Sequence, residues 1–268
     1  MSSNSINRNN RRYWDSTSRD YHDETTISIK DFHYGPLVPG DLTLKLLPES
    51  LEGLKCYEFG CGAAQNSFFL SSRGAKCYAS DISRKQIDAA HAIAERTGLK
   101  VELSCQGMDE PFPVVHGGFD LIHSAYAISF SPYPHRVVAQ AAAALKPGGI
   151  LLFSTGHPLF AGEWLELEGE HGLFLRDYFK LPPDIRYDDE GKEAIRSVFY
   201  NFEKLSKWTS RAGLMIERIL EPRPVELRNH SARQLMDKVP YYSSAWWEHY
   251  ERLAHCPVVT ILKCRKPA

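Results

Sequence analysis

No apolar run in this 268-residue chain approaches the roughly 20 residues that a bilayer-spanning helix requires, and the first residues lack the apolar core of a secretory signal. A protein working in the cytoplasm, without a membrane, is therefore expected. Neither sign of charge is in excess: 32 basic against 33 acidic residues leave a net charge of −1. That balance provides no overall positive field to collect nucleic acid, so a nucleic-acid partner is not expected and a polyanionic substrate is disfavoured. Cysteine is sparse. The six copies, Cys56, Cys61, Cys77, Cys105, Cys256 and Cys264, include no Cys-x-x-Cys pair, which argues for reduced thiols and against zinc or dithiol chemistry; no metal is expected. The body of the chain also lacks repeats, low-complexity tracts and interdomain linkers.

What is present centres on Leu54 to Asn66, LKCYEFGCGAAQN. Leu54 to Phe59 reads as a short buried strand that runs into Gly60-Cys61-Gly62-Ala63-Ala64, where small side chains let a ligand approach the backbone. Gln65 to Ser72 then starts a helix whose first-turn amides face whatever lies above the strand ends. Asp81 ends the next apolar run, 19 positions after Gly62, a spacing that suits an acid accepting both hydroxyls of a ribose. NAD and S-adenosylmethionine (SAM) both fit that spacing. Gln65 stands where a dinucleotide turn wants its third glycine, and Glu58 precedes the turn, where a carboxylate suits the cationic SAM better than a pyrophosphate.

These residues resemble the class I SAM-dependent methyltransferases, and among them the bacterial group acting on small molecules. The resemblance rests on Glu58 to Asn66, on Ser80-Asp81-Ile82-Ser83, on Phe119-Asp120-Leu121-Ile122 and on Leu145-Lys146-Pro147-Gly148-Gly149-Ile150, in the family's order. It covers roughly residues 34 to 155 and is weaker over 200 to 221 and 256 to 267. It implies a Rossmann-like, doubly wound sheet of seven mostly parallel strands whose last strand, Val258 to Cys264, is antiparallel. It also implies SAM as cofactor and S-adenosylhomocysteine (SAH) as product, held by Tyr34, Glu58, Gly60, Cys61, Gly62, Asn66, Asp81, Ile82, Gln86, Met108, Asp109 and Ser124. Tyr34 would bring a hydroxyl to the methionine end of SAM, while Met108 and Asp109 would meet adenine.

Along the chain, residues 1–12 are expected to be a disordered tail, and 13–268 a single domain with lid helices over 13–50 that carry Tyr13, Trp14, Tyr21 and His22. Ser83 and Gln86 form a capping-box pattern, and Gly98 stops the helix they begin. Two substrate-side insertions are expected: 159–200, with hairpin signals around Gly169 to Gly172, and 222–255, with Tyr241, Tyr242, Trp246, Trp247 and Tyr250. Tyr126 and His157 fall at the carboxyl edge of the sheet, where open α/β sheets place their chemistry. His157 is the leading candidate for a general base, against the plainer reading of a loop residue fixed by Pro158; His33 and His123 are weaker candidates. The expected reaction is methyl transfer to an N, O, S or C atom of a small apolar or aromatic acceptor, by a monomer or homodimer. Methylation of RNA or protein, and SAM binding without turnover, are the alternatives.

Overall fold

The computed structural model describes residues 3–167, 169–226 and 239–268. It opens with α1 (Ser3–Glu24), then β1 (Thr25–Ile27) and the four-residue α2 (Asp41–Leu44). The doubly wound core follows: β2 (Lys55–Phe59), α3 (Gln65–Ser71), β3 (Lys76–Asp81), α4 (Arg84–Thr97), β4 (Val101–Cys105), β5 (Phe119–Ala125), α5 (Pro134–Ala144) and β6 (Leu145–Gly156). Two hairpins, β7 (Glu163–Leu167) with β8 (Glu170–Phe174) and β9 (Pro183–Tyr187) with β10 (Glu193–Val198), precede α6 (Phe202–Arg211) and β11 (Met215–Leu220). After β12 (Tyr241–Ser243) and two short helical turns, β13 (Val259–Arg265) completes the chain's regular elements.

The main sheet has seven strands in the order β11-β13-β6-β5-β2-β3-β4. β2 pairs parallel with β3 and β5, whereas β13 runs antiparallel to both β11 and β6. The single antiparallel strand is therefore seated inside the sheet between two parallel neighbours, so its two faces and both ladders are covered; Val258, Val259, Ile261, Leu262 and Cys264 are wholly buried. No described helix is long and apolar enough to cross a membrane.

Local chemistry places the corners that matter. Ser83 caps α4 by accepting from the Gln86 N–H at 3.2 Å, and Gly98 ends it in the left-handed region at φ 71°. Asn201 caps α6 in the same way through the Lys204 N–H at 3.1 Å. A Cβ on Gly60, at φ 61°, would come within 2.6 Å of the Ala127 Cβ, so the turn after β2 needs glycine there.

The expected tail is corrected: residues from Ser3 onward belong to α1, and Asn10 is buried within it. Its amide donates to the Phe130 carbonyl at 3.0 Å and its carbonyl accepts from the Arg196 N–H at 3.2 Å, so α1 is anchored to the core and to β10. The lid segment is likewise less helical than expected, since Thr25–Ile27 is a strand paired antiparallel with Tyr241–Ser243 of the second insertion. Residues 227–238 of that insertion lie outside the described residues.

Candidate active site

A cavity of about 740 Å³ opens at the carboxyl edge of the sheet, a size within the usual range for small-molecule sites. Its floor is the turn after β2. Gly60, Cys61 and Gly62 line it, together with Glu58 of β2, Asp81 and Ile82 at the end of β3 and Gln86 in the first turn of α4, and Met108 and Asp109 close one side. Ten of the fourteen expected site residues, these nine and Tyr126, thus meet around one space.

The turn is built by its acids. One Asp81 oxygen accepts the Gly62 N–H at 2.9 Å, and the other accepts the Ser83 N–H at 2.9 Å, so the strand-end carboxylate ties the glycine turn to the start of α4. Burial pushes the Asp81 carboxyl up, opposed by those amides, with Asp15 adding to the rise. Glu58 accepts from both the hydroxyl and the N–H of Ser67, at 2.6 and 3.1 Å, fixing the first turn of α3. Burial pushes its carboxyl up to about 8, against the Ser67 bonds. His123 lies 3.8 Å from Glu58, yet burial holds the imidazole down to about 3; at neutral pH the two are uncharged neighbours and form no ion pair. Asp109 accepts from Ser131 at 2.5 Å and from Asn7 at 3.2 Å, the second of these reaching across from α1.

Four expected site residues stand elsewhere. Tyr34 is 1% exposed and donates to Asp41 at 2.6 Å, tying α2 to the chain before it. Asn66 is fully buried and clamps the backbone of His33, accepting its N–H at 2.8 Å and donating to its carbonyl at 3.0 Å. Ser124 lies under the sheet edge, buried away from the cavity. His157, expected as the base, is 2% exposed and does not line the cavity. Its Nε2 meets Glu221 at 2.6 Å and its Nδ1 accepts the Leu159 N–H at 3.2 Å, so neither ring nitrogen is free to serve an acceptor. His157 holds the loop after β6, and the general-base expectation is corrected.

Among the described residues two imidazoles line the cavity, His33 and His249, and of the expected histidine candidates it is His33 that does so. Burial holds it down to about 3, so it is neutral throughout the physiological range. Its Nδ1 has no hydrogen-bond partner among the described residues, and its ring lies 5.6 Å from that of Tyr241. Tyr126 sits at φ 61°, its N–H donating to the Ser154 carbonyl at 3.1 Å. A Cβ on Gly35 would come within 2.9 Å of the Tyr126 ring, so that glycine makes room for it.

The remaining wall is aromatic. Trp14 packs edge-on against Phe130 at 5.6 Å, Tyr126 edge-on against Trp246 at 6.1 Å, and the hydroxyls of Tyr21 and Tyr241 lie 3.1 Å apart. The face of α1 was only partly legible. Asn7, Asn10, Trp14, Thr17 and Tyr21 all line the cavity at alternating spacings of three and four, one unbroken helical stripe. A search for apolar periodicity misses its first turns because the stripe begins with two asparagines. Arg186, on β9, also reaches the cavity and had no signal in the sequence beyond its place in an insertion.

A doubly wound sheet with a bare glycine turn beside an acidic strand end defines a nucleotide-cofactor-binding α/β protein. The donor set fits SAM: carboxylates at Glu58 and Asp81 suit its cationic and ribose parts, and the space that Gly60 keeps clear admits a ligand against the backbone. Residues 57–149 match a family model described as a methyltransferase domain. The ubiquinone biosynthesis O-methyltransferase of Coxiella burnetii is 28% identical over 167 residues, 62% of this chain and 66% of that protein, so the match falls just short of two thirds of the relative's length. Among solved structures, an S-adenosylmethionine dependent methyltransferase from Mesorhizobium loti matches with a TM-score of 0.64 at 23% identity, over 83% of this chain and 95% of that one. The [4+2]-cyclase SpnF matches with a TM-score of 0.62 at 19% identity, over 96% and 95%. At those identities the structural matches establish the fold. Residues 57–149 are thus similar to a methyltransferase domain, and the fold is the one shared by solved SAM-dependent methyltransferases.

Proposed function

We propose that this protein transfers the methyl group of SAM to a small apolar or aromatic molecule in the cytoplasm. One observation carries the reading: the glycine turn and its two acids share a single cavity with the aromatic wall of Trp14, Phe130, Tyr126, Tyr241 and Trp246. When bound, SAM supplies a methyl carbon already made electrophilic by its sulfonium. The chain's own tasks are then to hold Asp81 and Glu58 in place, to pack an acceptor against the aromatic wall in line with that carbon, and to keep water out. An oxygen acceptor is favoured, because the Coxiella relative is named as an O-methyltransferase. For a hydroxyl acceptor, His33 is the group that would take the proton. Calorimetric titration with SAM, SAH and NAD tests the reading. SAM and SAH should bind and NAD should not; binding of NAD without SAM overturns it.

A pH dependence follows from Glu58. Below about 8 its carboxyl is protonated, and the ionised form is the one that attracts a cation. SAM affinity should therefore rise with pH, by at most about tenfold per unit, and level off above about 8. The sign for stability is the reverse: Glu58's contribution to folding is complete below about 4.5 and is lost as pH rises through about 8. Glu58→Gln can still accept from Ser67 and should flatten the affinity profile. A wild-type affinity that is constant from pH 6 to 8 would remove Glu58 from cation binding.

A further inference from the structure

We infer that the methyl acceptor carries an anionic group, a carboxylate or similar acid on its apolar body, which Arg186 receives. This rests on the proposed reaction only in calling the molecule an acceptor; the binding site itself is argued from the cavity.

Arg186 projects from the β9–β10 hairpin into the cavity wall. Its cross-strand neighbour is Ile195, which is buried and apolar, so no acid faces it across the hairpin. On its own strand Asp184 forms a loose, solvent-exposed ion pair with it, 4.0 Å from Nε and too long for a hydrogen bond, and the Arg186 side chain is 65% exposed at the cavity mouth. Among the described residues one acceptor takes a hydrogen bond from its guanidinium, the Tyr13 hydroxyl, at 3.3 Å from Nη1. A guanidinium has five N–H donors, so most of this fork makes no hydrogen bond to the described residues. The contrast lies on the partner strand: Arg196 is closed on Glu193 by two bonds, at 2.9 and 2.5 Å.

The surroundings make the fork specific. Arg186, Tyr126 and Tyr241 all line this cavity. Burial raises the pKa of both phenols; the Arg186 charge opposes that rise, at Tyr126 against the larger, opposite effect of Asp184. Asp20 and Glu24 of α1 also line the cavity, but neither lies within 4.0 Å of the guanidinium. Arg252 adds a second cation to the lining. A neutral hydrocarbon lodged among these rings would shield some of the Arg186 N–H donors from water without giving them an acceptor. A planar carboxylate matches the fork with two parallel bonds and leaves the apolar body for Trp14, Phe130 and Trp246.

The test uses matched probes, 2-naphthoate and its neutral isostere 2-naphthamide, titrated into the full chain with and without saturating SAH. Wild type should bind naphthoate about tenfold or more tightly than naphthamide, a difference of about 1.4 kcal/mol. Arg186→Gln should bring the two probes to parity, Arg186→Lys should keep part of the preference, and Tyr13→Phe should keep most of it, since the charge remains. Parity in wild type, absence of naphthoate binding, or a preference that survives in Arg186→Gln overturns the inference. Separate titration of SAH distinguishes the two readings. A naphthoate preference without SAH binding removes the methyltransferase proposal and leaves the anion site standing.

Discussion

Asp81→Ala should weaken SAM binding by about 1.5–3 kcal/mol, a loss of roughly tenfold to more than a hundredfold. Two effects add. The carboxylate has about four lone-pair positions, of which the Gly62 and Ser83 amides occupy two; the remainder face the cavity, where ribose hydroxyls can donate to them. Removing the side chain deletes those acceptors and also releases the glycine turn, whose Gly60 and Gly62 are held at φ 61° and 54°. Asp81→Asn separates the two effects. Its single carbonyl can keep one of the two backbone amides, so the turn should loosen less, while the charge and half the acceptors are gone. The measurement is calorimetric titration with SAM, with a melting curve for each variant. An affinity unchanged in folded Asp81→Ala would show that the acid positions the turn and does not touch the cofactor.

The parts of the site made by local backbone chemistry were the parts that could be read from the chain. A bare turn after a buried strand, a Ser83 cap three residues before Gln86 and a glycine stop at Gly98 each involve neighbours in sequence, and each stands where expected. Parity was the weak point. In the extended stretch before α2, successive side chains point to opposite sides, so the aromatic of His33-Tyr34 faces Asp41 and the imidazole faces the cavity. His157 failed for another reason. Its partner Glu221 is 64 positions away in sequence, and nothing local announces that the two will meet. The same holds for α1, whose asparagines look like a polar tail until Phe130 and Arg196, more than a hundred residues on, provide their partners.

His33→Ala should slow methyl transfer to a hydroxyl acceptor by about 10²-fold, the lower part of the range for loss of a positioned base, and leave SAM affinity nearly unchanged. The placement at the cavity wall carries the argument. Asn66 grips the His33 backbone from both sides, so the ring is held where it is; its Nδ1 is buried without a partner among the described residues, which leaves Nε2 as the nitrogen that would meet an acceptor. The low end of the range is expected because burial, by holding the imidazole down to about 3, also weakens its pull on a proton. That same depression sets the pH profile. A histidine at its ordinary value would give a rate that climbs through about 6.5, whereas His33 is neutral across pH 5 to 9 and should give no such limb at saturating SAM. Single-turnover rates across pH, for wild type, His33→Ala, His33→Gln and His157→Gln, read the outcome once an acceptor is in hand. His157→Gln should lose stability through its contact with Glu221 and keep its rate. If both His33 variants keep the wild-type rate, proton removal lies with another group, and Tyr126, on the same wall, is the next to test.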